Sequence, residues 1–309
     1  MLEATDLAVE FSSRGRRARA VDGVNLAVGD GEIVALVGES GCGKTTLART
    51  LLGLERPSSG TVSYAGSPLS YRSKALKAHR RQVQLVLQDP MGSLNPRQTV
   101  YEAVAEGPRI HGLADEEKVV AEALSHAGLR PPERFFLRYP HELSGGQRQR
   151  VVIAGALALN PKVLIADEPV ASLDASVRGE ILALLLRLRD DLGLSALVVT
   201  HDLGLAWNIA DRVAVMYLGR IVESGPTEEI LKNPQHPYTQ ALLSVLPESP
   251  KRIVLTGEPP DPTRIPTGCR FHPRCQIVAA GNPIAEKCRT DLLPILPNKT
   301  TPQAACHLL

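Results

Sequence analysis

Residues 38–46 read GESGCGKTT, a G-x-x-x-x-G-K-T spacing within a chain of 309 residues. Gly38, Gly41 and Gly43 let the backbone curl until several N–H groups converge on one anion, at the positive end of the helix that should follow. Ser40 and Thr46 stand in the same turn, Lys44 offers a point charge to the outer phosphates of a nucleotide, and Thr45 offers a hydroxyl to magnesium. A chance glycine turn would lack the apolar strand before it and the helical spacing after it. Cys42, inside the loop, reads as a small residue that fits the turn. A second stretch, VLIADE, ends in Asp167 and Glu168. Acids at a strand end are often only solvated, yet the C-terminal edge of an open parallel sheet is also where ligands bind. In a chain with a phosphate loop, Asp167 can hold magnesium through water while Glu168 orients or deprotonates an attacking water.

A third set is Cys269, Cys275, Cys288 and Cys306, four of the chain's five cysteines, spaced C-x5-C-x12-C-x17-C. In a reducing compartment clustered thiols suggest metal before disulfide. Zinc sites commonly pair their ligands as C-x2–4-C, so the first spacing is loose for zinc, and the ferredoxin spacings of iron–sulfur sites are absent too. On spacing alone zinc and an iron–sulfur cluster both stay open. His272 and His307 lie beside thiols and could substitute, but four cysteines suffice and the histidines read as surface residues.

The elements that must position these residues follow from hydrophobic patterning. EIVALV, QVQLVLQ, KVLIADE and SALVVTH, beginning at Glu32, Gln82, Lys162 and Ser195, are short apolar runs expected as buried strands. KTTLARTLLGL, from Lys44, carries helical spacing, so strands alternate with helices and an α/β domain with a parallel sheet is expected. Between Asp89 and Asn160 the pattern turns helical, with DEEKVVAEALSHAG from Asp115 the clearest amphipathic case. The expected division is a core of residues 1–88 and 161–225, a helical insertion at 89–160 and an extension at 226–309. That extension holds 14 of the 24 prolines, so it should be loop-dominated, poor at burying a core, and in need of a staple. The opening MLEATDLAVE is acidic where a signal peptide is basic, and no run reaches the roughly 18 apolar residues of a spanning helix, so a cytosolic, at most membrane-peripheral, protein is expected. A net charge of +2 gives no reason to expect nucleic acid as a partner.

LSGGQ at residues 143–147 opens a helical run, and Ser144, Gly145, Gly146 and Gln147 there can form a second anion site at a helix N-terminus, or Ser144 can be a plain N-cap. With this motif the chain resembles the ATP-binding cassette (ABC) ATPases. The resemblance implies a P-loop, RecA-like core with N-terminal antiparallel strands, an inserted helical subdomain and a Cys/Pro-rich extension. It also implies a head-to-tail dimer in which LSGGQ closes on the γ-phosphate of ATP held by the partner. Gln88 of LQDP resembles the residue of the loop that senses the γ-phosphate and contacts the membrane subunit, and the resemblance makes it a magnesium ligand as well. SLDA, with Asp174, resembles the loop crossing the dimer interface, His201 of VVTHD the switch histidine, and Phe11 the aromatic that stacks on adenine.

LQDPMGSLNPRQTV, HDLGLAWNIADRVAVMYLGRIVESG, NPQHPYTQALLSVLP and GCRFHPRC narrow the likeness to the oligopeptide/dipeptide importer ATPases of bacteria. That branch implies a second, different ATPase subunit, two transmembrane permease subunits, and indirectly an extracytoplasmic substrate-binding protein, with this chain at the cytoplasmic face of the inner membrane. It tips the four cysteines toward a [4Fe–4S] cluster rather than Zn2+. Gln276 departs from the branch, where proline normally follows the second cysteine. Close relatives import nickel, glutathione or sugars, and solute never touches the ATPase, so the solute is not legible here. A DNA-repair ATPase is the reading from another class, but the residues between Gly38 and Ser144 carry no sustained heptad pattern for its coiled coil.

Overall fold

The computed structural model describes residues 1–13, 15–246 and 252–309; Pro247, the last residue of the stretch NPQHPYTQALLSVLP, lies outside them. Its strands are β1 (Leu2–Ser13), β2 (Arg16–Val28), β3 (Ile33–Val37), β4 (Ser59–Tyr64), β5 (Ser67–Pro68), β6 (Val83–Val86), β7 (Val163–Asp167), β8 (Ser195–Thr200), β9 (Arg212–Tyr217), β10 (Arg220–Pro226) and β11 (Gln303–Ala304). The chain divides into two units, one of Met1–Val28, Val34–Leu69 and Thr200–Leu309, the other of Gly29–Ile33 and Ser70–Val199. The architecture is α/β, as the alternation of apolar runs and helical spacing implied.

In the first unit an antiparallel sheet runs β2-β1-β4-β5. Its buried residues on β1 switch phase, from Leu2 and Ala4 to Leu7 and Val9, because a register shift falls between Ala4 and Leu7 where Asp6 takes a left-handed φ of 46°. The bulge rotates the second half of the strand so that alternate residues still face the core. The same unit runs β11-β10-β9-β3, with β3 and β9 parallel. All five residues of β3 are buried, the signature of a strand covered on both faces. The phosphate loop follows β3 directly and leads into the helix Lys44–Leu51. That helix ends three residues before the helical spacing does, because Gly53, at φ 66°, donates its N–H to the Thr50 carbonyl and closes the last turn.

In the second unit β6, β7 and β8 pair in parallel. The helices Val100–His111, Glu116–His126 and Gly145–Leu157 lie between β6 and β7 in the chain, where helical spacing was expected. Thr99 and Glu102 form a reciprocal capping box that starts the first of these.

The C-terminal residues differ from expectation. Composition implied a segment poor at burying a core, and regular elements are indeed short, yet Tyr238, Phe271, Val278 and Ala285 join Tyr217 and Val215 in one buried cluster. The rings of Tyr217, Tyr238 and Phe271 pack in tilted and edge-to-face contacts with centroids 4.7 to 5.4 Å apart. Three large aromatics supply apolar area that proline counting overlooks, and the underlying sheet supplies the other wall.

Candidate functional site

The first unit carries the phosphate loop. Lys44, its side chain almost fully buried, donates through Nζ to the Gly38 carbonyl at 2.7 Å and the Glu39 carbonyl at 2.9 Å. Both acceptors belong to the loop, so the ammonium is parked across the concavity it would share with phosphate. A Cβ on Gly38 would stand 2.2 Å from the Met216 carbonyl oxygen, which shows how tightly the loop is laid against β9. The Gly219 N–H donates to the Cys42 carbonyl at 2.8 Å from the other side. Burial pushes the Cys42 thiol up, so it stays protonated and behaves as the small filler its position suggested. Ser40, Gly41, Thr45 and Thr46 line the same turn and the start of the helix Lys44–Leu51. Phe11 is exposed near the end of β1, and His201 directly follows β8; both fall in this unit.

The second unit carries the acids and the signature motif. Asp167, 9% exposed, is the last residue of β7, and Glu168 follows at φ 50° with its N–H donating to the Val199 carbonyl at 2.8 Å. A glutamate in left-handed backbone is strained by about 1 kcal/mol or more and persists only where neighbours hold it, a pattern concentrated at functional sites. Sequence spacing had no means of signalling that conformation.

Gln88 stands two residues beyond β6. Ser144 is the N-cap of the helix Gly145–Leu157: its Oγ accepts from the Gln147 N–H at 3.3 Å, and Gln147 Oε1 accepts from the Ser144 N–H at 3.1 Å. The plain-cap reading of Ser144 is therefore realised, and it leaves the positive helix end available to an anion. Gly146 is needed for packing, since a Cβ there would meet Val177 at 2.6 Å. Asp174 caps the helix Ala175–Leu192, accepting from the Val177 N–H at 3.0 Å, and that bond holds its carboxyl below the usual range.

The four cysteines of the C-terminal residues come together. Cys269, Cys275, Cys288 and Cys306 line one small apolar pocket with His236, His272 and His307. Burial pushes the Cys269 thiol up to about 12 and raises Cys288 and Cys306 as well. Among the described residues no group of three or more His, Cys, Asp or Glu side chains is arranged to hold a metal ion. The donor chemistry of the four thiols is that of a soft-metal site.

Sequence reasoning missed Tyr238, whose Oη accepts the Glu39 N–H at 2.9 Å and so braces the phosphate loop from the C-terminal residues. Its only sequence signal was membership of the stretch NPQHPYTQALLSVLP.

A strand, a glycine-rich phosphate loop with an inward lysine and a following helix define a P-loop nucleotide-binding protein. Residues 21–171 match the ABC transporter family model, and residues 222–281 match that of the oligopeptide/dipeptide transporter C-terminal region. The putative oligopeptide transport ATP-binding protein YkfD of Bacillus subtilis is 43% identical over 100% of this chain and 95% of its own. The dipeptide transport ATP-binding protein DppF of Escherichia coli is 44% identical over 89% of this chain and 86% of its own. Among solved structures, cbiO1 of Clostridium perfringens, part of the ABC transporter complex cbiONQ, matches with a TM-score of 0.68 at 33% identity, over 75% of this chain and 90% of that one. The ATP-binding cassette MJ0796, in a dimeric post-hydrolysis state bound to ADP and phosphate, matches with a TM-score of 0.65 at 30% identity, over 74% and 99%. The chain belongs to the ABC transporter ATPase family. Among the described residues no helix is long and apolar enough to cross a membrane.

Proposed function

We propose that the chain hydrolyses ATP as one of two ATPase subunits at the cytoplasmic face of a bacterial inner membrane, energising import of di- or oligopeptides through two permease subunits. The phosphate loop, with its buried Lys44 held on loop carbonyls, carries the ATPase part of the reading. The match of residues 222–281 to the oligopeptide/dipeptide C-terminal region supports the solute class over nickel, glutathione or sugar.

In the proposed mechanism loop N–H groups and Lys44 bind the β and γ phosphates, and Phe11 stacks on adenine. Glu168 accepts a proton from water as its oxygen bonds to the γ-phosphorus and the bond to the β–γ bridging oxygen breaks, releasing ADP and phosphate. Thr45, Asp167 and Gln88 present the hard oxygen donors that Mg2+ takes, and the ion when bound neutralises charge on the phosphates. His201 contacts the γ-phosphate. Ser144, Gly145, Gly146, Gln147 and Asp174 face the nucleotide of a second, different ATPase chain.

Ser144 offers a selective test, because Ser144→Asp retains an N-cap while placing a negative charge where an anion would dock. Stability should stay within about 0.5 kcal/mol of wild type, whereas Ser144→Ala should lose about 1 kcal/mol. In the assembled transporter Ser144→Asp should cut ATP turnover more than tenfold; undiminished turnover would remove Ser144 from the nucleotide site.

A groove in the second unit supports the membrane partner. It is lined by Leu87, Leu94, Ile110 and Leu159 together with the polar Glu106 and His111, and its volume is about 370 Å3. Such a groove suits a short amphipathic helix of a permease. Reconstitution with permease, second ATPase and binding protein should give turnover stimulated by peptide. Stimulation by nickel, glutathione or sugar alone would replace the solute class and leave the ATPase intact.

The pocket formed by the four cysteines is proposed to take up a [4Fe–4S] cluster in preference to Zn2+, on the softness of four thiol donors gathered in one place. Protein purified without air should carry about four irons and absorb near roughly 400 nm, and Cys288→Ser should lose both. Stoichiometric zinc, or no metal, would eliminate the cluster.

A further inference from the structure

The segment CRFHPRC, residues 269–275, places an arginine just inside each flanking cysteine; Arg274 bonds the phosphate loop and Arg270 the turn after β9. Arg274, its side chain only 7% exposed, grips Glu39 with both prongs: Nη1 donates to one carboxylate oxygen at 2.6 Å and Nη2 to the other at 3.0 Å. The two residues are 235 positions apart in the chain. Glu39 is the second residue of GESGCGKT, and its own carbonyl is one of the two that hold Lys44 Nζ. Its N–H is bonded to Tyr238, so the C-terminal residues hold Glu39 at both backbone and side chain.

Arg270 works on the opposite flank. Its guanidinium donates to the Leu218 carbonyl at 2.5 Å and pairs with Asp22. Leu218 and Gly219 form the turn after β9, with Leu218 left-handed at φ 42°, and Gly219 donates to the Cys42 carbonyl of the loop. The Asp22 N–H in turn donates to the Gly219 carbonyl at 2.9 Å. Thus one seven-residue segment buttresses the phosphate loop at residue 39 directly and at residue 42 through the turn.

Electrostatics gives the Arg274 contact a consequence for binding. A carboxylate inside a loop that must take up a polyanion opposes it, and the repulsion is strongest where water is excluded. A two-pronged guanidinium pair cancels that charge and fixes the carboxylate plane in a way a single hydrogen bond does not. We propose that Arg274 is a positioning residue for the nucleotide: by pairing with Glu39 it neutralises the loop's own carboxylate and holds the Glu39 carbonyl where it sets Lys44. The C-terminal segment is then part of the ATP site and not only a separate module. The inference rests on residues 38–46 being an ATP site.

Equilibrium binding of a fluorescent ATP analogue, with Mg2+, to the purified full-length chain tests it. Wild type should bind, Arg274→Ala should bind at least tenfold more weakly, and Arg274→Lys should recover part of the loss. The decisive variant is Arg274→Ala combined with Glu39→Gln, because removing the unpaired carboxylate should restore most of the affinity although the ion pair is absent. A purely structural role would leave the double variant as weak as Arg274→Ala, or weaker, and would overturn the proposal. So would wild-type affinity in Arg274→Ala. An Arg274→Ala chain that fails to fold while the double variant folds and binds would support it, since the lone carboxylate is then the cause. Failure of the wild type itself to bind would refute the ATP site, a result distinguishable from any of these.

Discussion

Glu168→Gln should lower kcat for ATP in the assembled transporter by roughly 10^2- to 10^4-fold, the usual contribution of a positioned general base, with little change in KM. The amide preserves volume and hydrogen-bonding reach but has no useful basicity, so water is no longer relieved of its proton. The backbone of this residue, at a strained φ of 50°, keeps its N–H bond to the Val199 carbonyl in the variant. Nucleotide should stay bound, and with ATP the variant should accumulate as a dimer with its partner ATPase, read by size-exclusion chromatography. Glu168→Ala should match the loss of kcat. Wild-type turnover by Glu168→Gln would move the base elsewhere, and Asp167 would be the next acid to examine.

Much of this site is legible in the chain because local physics encodes it. β3 is a run of five apolar residues, the loop after it is glycine-rich, and the helix after that begins at Lys44, so motif and context lie within 20 consecutive residues. LSGGQ likewise announces its own cap, since Ser144 and Gln147 stand three apart, the spacing of a capping box. What escapes is non-local. The ion pair of Arg274 with Glu39 has no periodicity to betray it, and neither residue type is unusual for a surface. The aromatic cluster of Tyr217, Tyr238 and Phe271 escaped for a related reason: proline content argued for a coreless segment, but three residues scattered over 55 positions suffice to anchor it. The clustering of Cys269, Cys275, Cys288 and Cys306 was suggested by composition, whereas the pocket they line is completed by side chains from elsewhere, His236 among them.

Gly43→Ala should abolish ATP binding and destabilise the chain by about 2–6 kcal/mol, combining backbone strain with steric overlap. Gly43 is the N-cap of the helix Lys44–Leu51 at φ 110° and ψ 0°, a conformation that L side chains rarely adopt. A Cβ there would stand 2.0 Å from the Ala20 carbonyl oxygen and 2.9 Å from Met216 Cε. The methionine can swing aside, but the carbonyl is backbone on β2 and moves only with its strand. Displacement of residue 43 also displaces Lys44, whose Nζ is tied to two carbonyls of the same turn. Gly41→Ala supplies the comparison, since Gly41 is also left-handed, at φ 78°, but has open space where its Cβ would go. Strain alone should cost it about 1–2 kcal/mol. Melting temperatures should therefore fall by on the order of 10 °C for Gly43→Ala and by a few degrees for Gly41→Ala. Equal losses for the two would mean that backbone strain, and not the close approach of β2, is what demands glycine at the end of the phosphate loop.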